Sequence, residues 1–304
     1  MSNAILYQAY GGNDFINECK YSLLKYLQVY NLAPPAETSI VIYTDQPNQF
    51  SDFLPFFHRF TCKQLTANLV REWRGAQNFV HRLKIEMLAD FTQTFTGNVL
   101  YCDTDAYLKA PIEEVFEDME RGSFYMHEYE GTLNKATSPS FHKWEKFLSS
   151  TPVVYNDKQV EFSNAIKMYN AGVVGFNSGH KELLNDVLRL TDVVYLQFPK
   201  HIAEQFAFSY CFQKAGVIKS ADSVVAHYWN LKEFRRLLAS FFASNLEESI
   251  PNLVKKAHHV DALTIMGHKA SFKALPFWHR FLKNLSGSPW RIENYQKRPG
   301  LFRS

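Results

Sequence analysis

Gly97-Asn98-Val99-Leu100-Tyr101-Cys102-Asp103-Thr104-Asp105-Ala106-Tyr107-Leu108 decides the reading of this chain, because a short apolar run there ends in two carboxylates. Val99 to Cys102, entered from the turn-prone Gly97-Asn98, suits a central strand covered on both faces. Side chains repeat every two residues along extended chain, so Asp103 and Asp105 project to one side and Thr104 to the other. Two carboxylates left close together repel. A divalent cation would satisfy both and keep positions open for phosphate oxygens. The plainer alternative is a solvated Asp turn. The place of the pair, at the C-terminal end of a strand where open α/β sheets bind ligands, favours the cation site.

Upstream of that stretch the pattern is strand, helix, strand. Ala4 to Tyr10 is an apolar run closed by Gly11-Gly12-Asn13-Asp14. Ile16, Cys19, Leu23, Leu24, Leu27 and Tyr30 then recur at helical spacing, and Ser39 to Thr44 reads as a second strand. His58 to Leu65 is a candidate third strand, and Phe79 to Phe95 a helix carrying Arg82 and Lys84 near its start. This alternation predicts an α/β fold with a parallel sheet.

Downstream, Ile112 to Met119 is expected to be helical and Ser123 to His127 extended. Gly131 to Val160 is less regular, either a cover for the site or a surface insertion. Val173 to Phe176 reads as a further strand. Ala171-Gly172 just before it lets backbone approach a ligand or another segment closely, and leaves Asn170 free to bond a hydroxyl. Helices are expected at 181–196 and 202–215, the latter with Glu204 and Gln205 in its first turn. Val224 to Trp229 is another apolar run, this time ending at an imidazole, His227. A lone histidine is ordinarily a satisfied core or surface residue. Here it follows a strand as the aspartates do, and two carboxylates with one imidazole form a ligand set suited to Mn²⁺, with Mg²⁺ the alternative.

The totals bound the function. The 304 residues are 46% hydrophobic, with no apolar run long enough to span a bilayer and no basic-then-apolar leader, so a cytoplasmic enzyme is the default expectation. Cys19, Cys62, Cys102 and Cys211 are widely spaced without a CxxC pair, against a zinc ribbon or a disulfide framework. Charge divides the chain. From 251 onward ten Lys and Arg face two acids, a net of +8, leaving −5 for the first 250 residues. The expected organisation is therefore a catalytic domain over 1–250 and a basic helical extension over 251–304, packed on the domain or peripheral to it. Within the extension, Phe272, Leu275, Trp278, Phe281, Leu282 and Leu285 make an apolar stripe beside Lys273, Arg280 and Lys283. Such a stripe suits a membrane interface or a packed core face equally. No nucleic-acid reading motif accompanies the basic charge.

Taken in order, these segments resemble a GT-A type nucleotide-sugar glycosyltransferase, most of all glycosyltransferase family 8 and its relatives. The resemblance rests on Ile5 to Asp14, Arg82 within HRLKIEML, YCDTDAYL, YNAGVVGFN, Glu204-Gln205 and HYW at 227–229, and covers roughly 4–232. It implies a single mixed, mostly parallel central sheet with flanking helices. It also implies that a sugar is moved, with retention, from a nucleoside-diphosphate sugar, UDP favoured, to a saccharide or lipid-linked acceptor. On this resemblance Asp103, Asp105 and His227 hold the metal. Ala9, Tyr10, Gly11, Arg82, Asp103, Thr104, Asp105, Asn170, Ala171 and Lys232 contact the donor, and Glu204 and Gln205 lie beneath the reacting sugar. Where the family has Gly and Lys three and six residues after its late His, this chain has Asn230 and Glu233, with Lys232 one place early. The basic extension resembles tails that dock some bacterial members on anionic inner-leaflet lipid.

Two other classes remain open from sequence. A non-catalytic sugar-nucleotide or glycan binder would use the same fold. An Asp-x-Asp phosphatase would carry its pair after the first strand, followed by Gly-Thr; here Ala106-Tyr107 follows Asp105, a third of the way in.

Overall fold

The computed structural model describes residues 2–135, 139–155, 158–163, 165–286 and 289–296. Among the described residues thirteen strands are interspersed with helices. They are β1 Asn3–Ala9, β2 Thr38–Thr44, β3 Phe60–Gln64, β4 Asn98–Cys102, β5 Ala106–Leu108, β6 Phe124–Met126, β7 Tyr129–Thr132, β8 Val153–Tyr155, β9 Lys158–Val160, β10 Lys167–Tyr169, β11 Val173–Asn177, β12 Ile218–Ser220 and β13 Val225–His227. Seven of them form one sheet in the order β12-β6-β11-β4-β1-β2-β3. Only β11 runs against its neighbours, so the sheet is mixed and mostly parallel.

Burial on both faces explains why the central strands read as unbroken apolar runs. Along β1, Ile5, Tyr7 and Ala9 enter one core layer while Ala4 and Leu6 enter the other. β4 repeats this with Leu100 and Cys102 on one side and Val99 and Tyr101 on the other. The first layer is covered by α1 Asn13–Val29 among others, and the second by α2 Ala67–Arg74, α3 Arg82–Thr94 and three later helices. After these come α4 Glu113–Glu120, α5 Pro139–Ser150, α6 Leu183–Gln197 and α7 Ala203–Ala215. The helix α2 and a 3₁₀ segment at Pro47–Phe56 were not legible in the sequence pattern.

The irregular interval after Gly131 is fastened into the core. Trp144 of α5 is fully buried among Phe147, Phe198 and Phe206, and β7 pairs with β10. Its described part is therefore packed structure and not a free cover.

The rest of the chain is helical: α8 Phe234–Ser244, α9 Ile250–Ala257, α10 Ala262–Ala274, α11 Phe277–Leu285 and α12 Glu293–Gln296. Leu253, Val254, Val260, Ile265, Ile292 and Tyr295 join the same core layer as α1, and the Tyr21 hydroxyl donates to the Val260 carbonyl at 2.6 Å. The apolar stripe foreseen across 272–285 is cut at Pro276, which lacks the N–H and the backbone angles to continue α10. No residue of α11 is buried; Trp278 is 70% exposed and Leu285 69%. Lys297, Arg298 and Arg303 of the basic extension lie outside the described residues.

A candidate metal and sugar-nucleotide site

The acids stand where β4 ends. Cys102 closes the strand, the Asp103 N–H donates to the Gly172 carbonyl at 2.8 Å, and the Ala106 N–H donates back to the Asp103 carbonyl at 3.0 Å. This tight turn sets both aspartates on one side. Thr104 faces the other way, its hydroxyl donating to Glu18 on α1 at 3.2 Å. β5 continues the chain and pairs antiparallel with β13, in a register that puts His227 opposite Ala106. That pairing carries an imidazole 122 residues distant in sequence to the carboxylates.

Ligand atoms of Asp103, Asp105 and His227 all lie within 4.8 Å of one another. His227 Nε2 is 3.0 Å from Asp105 Oδ1 and 4.0 Å from Asp103 Oδ2. Its other nitrogen, Nδ1, is 3.1 Å from Asn170 Oδ1, and that same oxygen accepts the Gly172 N–H at 2.9 Å. Because Asn170 offers an acceptor there, the imidazole hydrogen belongs on Nδ1 and Nε2 is aimed at the carboxylates, as a metal-binding histidine requires. Burial pulls the His227 pKa down, but the hydrogen bond and charge of Asp105, with Asp103 behind it, raise it overall. Burial alone would push Asp105 up; the His227 contact leaves it lowered. The two carboxylates thus favour positive charge at Nε2, and a divalent ion would supply it in place of a proton.

His227 is packed closely on two sides. A Cβ on Gly172 would fall 2.2 Å from His227 Cε1, so the glycine foreseen as a point of close approach makes room for the imidazole itself. On the far side His127, 5% exposed, meets His227 edge to face at 5.0 Å; burial, then the His227 charge, lowers it to about 4.

The other foreseen residues divide. Lys84 is buried and reaches Asp103 Oδ1 at 3.4 Å, Glu204 Oε1 at 2.9 Å and the Ala171 carbonyl at 2.7 Å. Arg82, two residues earlier on α3, instead engages Asp192 at 2.9 Å, Glu86 at 2.7 Å and the Trp73 carbonyl at 2.8 Å. The cation that meets Asp103 is therefore Lys84. Glu204 is 3% exposed; burial pushes its carboxyl up to about 7 against the pull of Lys84. Its carboxylate holds Lys84 and opens to no surface. Gln205 donates to Glu130 Oε2 at 2.7 Å, and Asn170 donates to Glu130 Oε1 at 3.1 Å. Ala9 ends β1 fully buried, with Tyr10 half-buried and Gly11 exposed at φ 95° in the turn that follows. The Lys232 side chain is exposed and has no hydrogen bond or ion pair among the described residues.

Two residues of this network were not foreseen. Glu130 had a signal: Glu128 and Glu130 follow a strand at the same two-residue spacing as Asp103 and Asp105. Glu18, 1% exposed, is an acid beside an apolar helical stripe, and its carboxyl is pushed by burial up to about 7 against Arg235.

A mostly parallel sheet with acids and an imidazole gathered at its strand ends defines a GT-A type fold. The fold is shared with a solved glycosyltransferase structure. The glycosyltransferase GlyE of Streptococcus pneumoniae TIGR4 matches at a TM-score of 0.51 and 11% identity, over 86% of this chain and 64% of its own length. The galactosyltransferase LgtC, in complex with donor and acceptor sugar analogs, matches at 0.47 and 11% identity, over 72% of this chain and 73% of its own. Mouse xyloside xylosyltransferase 1, in its apo form, matches at 0.45 and 13% identity, over 72% and 85%. No protein-family model and no curated protein matches the chain.

Proposed function

We propose that the protein is a metal-dependent glycosyltransferase that moves a sugar from a nucleoside-diphosphate sugar, with UDP-sugar favoured, to a saccharide or lipid-linked acceptor. One observation carries this: Asp103, Asp105 and an Nε2-directed His227 converge at the strand ends of a GT-A type sheet. Those three residues would hold Mn²⁺ or Mg²⁺, which when bound supplies positive charge to the diphosphate as it leaves.

The chain's own groups do the rest. Lys84 ties Asp103 to Glu204 and so fixes one carboxylate from below. Asn170 orients His227 through Nδ1, and Glu130 holds Asn170 and Gln205 as a unit. Gln205 and Glu130 are the groups we assign to the cationic sugar, as a carbonyl oxygen and a carboxylate acting by position and charge. We assign Glu204 its effect through Lys84. Retention at the anomeric carbon follows the family 8 resemblance. A peripheral contact to anionic lipid is supported by the exposed apolar residues of α11 beside Lys273 and Lys283, and cytoplasmic placement goes with it as part of the same reading. No described helix is long and apolar enough to cross a membrane.

The test is a thermal-shift screen of UDP-, GDP- and CMP-sugars with and without Mn²⁺, followed by donor hydrolysis with the best ligand. Stabilisation that needs the metal, with slow nucleotide release, is the expected result. Binding without any hydrolysis would make the protein a binder, and phosphate release from generic phosphoesters would make it a phosphatase.

A further inference from the structure

Resting on that reading and extending it, we propose that Arg235 is the side chain that receives the donor's diphosphate, presented for that purpose by the buried carboxylate of Glu18.

A departing diphosphate needs cationic partners beyond a metal, and no contact among the described residues holds a charged side chain just after His227 toward the aspartates. Lys232 points to solvent. The Glu233 carboxylate is drawn to Lys269 on α10, at 2.7 Å. Less than one helical turn further on, Arg235 of α8 turns inward. Its guanidinium packs on the ring of Phe15, in the first turn of α1, with the centroid 4.7 Å away. That turn directly follows Gly11-Gly12, the open end of β1. Asp105 and Asp14 are further charges that Arg235 feels, after Glu18.

The mode of attachment leaves part of the fork available. Nε donates to Glu18 Oε1 at 2.9 Å and one terminal nitrogen to Oε2 at 3.2 Å, which fixes the plane of the guanidinium. The other terminal nitrogen has no hydrogen bond among the described residues, and the side chain remains 23% exposed. A planar fork held at one edge and open at another suits phosphate oxygens better than a mobile ammonium does. Glu18 also accepts from Thr104, so the arginine and the Asp-Thr-Asp turn hang on one carboxylate. Ligand charge at Arg235 and ligand charge at the aspartates are thereby kept in fixed register.

The rival is that Arg235 serves only to neutralise Glu18. Calorimetric titration of the full chain with UDP, UMP and uridine separates the two, with Mn²⁺ and again in EDTA. Arg235→Gln is expected to weaken UDP about tenfold or more, UMP less, and uridine by no more than about twofold. Arg235→Lys should recover part of the loss. Because Arg235→Gln leaves a buried acid unpaired, the double variant Glu18→Gln/Arg235→Gln is measured beside it. It should restore the melting temperature without restoring UDP affinity. Equal weakening of all three ligands, or recovery of UDP affinity in the double variant, would overturn the proposal. If the wild-type protein binds none of UDP, GDP or CDP with Mn²⁺, the donor reading itself fails and the role of Arg235 falls with it.

Discussion

Asp118, on α4, and the Asp103/Asp105 pair after β4 are both largely shielded carboxylates, and they are treated in opposite ways. Asp118 receives Lys219, Arg121 and the Tyr125 hydroxyl, three donors to one acid, and these hydrogen bonds hold its carboxyl well below the usual carboxylate range. Asp103 and Asp105 share one imidazole; Asp103 also accepts the Tyr101 hydroxyl at 2.6 Å and meets Lys84, which Glu204 also claims. Cations exceed acids at the first place, Lys219 and Arg121 on Asp118; at the second, Asp103, Asp105 and Glu204 outnumber Lys84 and His227. A fully paired acid serves stability, whereas a gathered surplus of acid is costly unless something positive is to be bound there.

That contrast is most directly broken at the aspartates. Asp103→Asn or Asp105→Asn removes a charged ligand and should lower metal-dependent donor turnover by on the order of 10²-fold or more. In the metal-free protein each should leave the melting temperature unchanged or lower, since Asp105 pairs with His227 and Asp103 with buried Lys84. Full nucleotide release by either variant would show that the surplus acid has no metal to bind.

Gly172→Ala attacks the same end through packing. The new Cβ must displace the His227 ring, and overpacking of this kind costs about 1–3 kcal/mol. Mn²⁺ titration followed by calorimetry should show weakened binding together with the lowered melting temperature. Loss of stability with unchanged metal affinity would remove His227 from the ligand set.

Asp118→Asn sharpens the other side of the comparison. It should cost on the order of 1–3 kcal/mol at neutral pH and leave UDP and Mn²⁺ affinity as they were. The pH dependence has a definite sign. A depressed carboxyl contributes stability above its unfolded-state pKa of about 4, and that contribution is lost as pH falls toward the folded-state value. Denaturant midpoints of wild type and variant should therefore converge as pH is lowered from about 5 to about 2. Parallel curves would mean that Asp118 is not the acid-sensitive tie.

Much of the fold was legible because the central strands are buried on both faces and so carry uninterrupted apolar runs. β1, β2, β4 and β11 match those runs to within one residue at each end. α2 escaped because its few buried residues, Val70 and Trp73, make too short a stripe. At the site, the two-residue period gave Asp103 and Asp105 a common side before any coordinates. The same period after β6 would have given Glu130.

The amino-acid order by itself determined where acids and an imidazole follow strands, since strand periodicity is local and needs no partner. Only the tertiary structure decided which cation meets them. Arg82 and Lys84 are two residues apart on α3, roughly 200° around the helix, so one faces Asp103 and the other cannot; packing of α3 on the sheet chose Lys84. Likewise Glu18, Thr104 and Arg235 are separated by 86 and 217 positions. Their meeting depends on how α1 and α8 dock beside β4, a choice made by long-range core packing that no local pattern encodes.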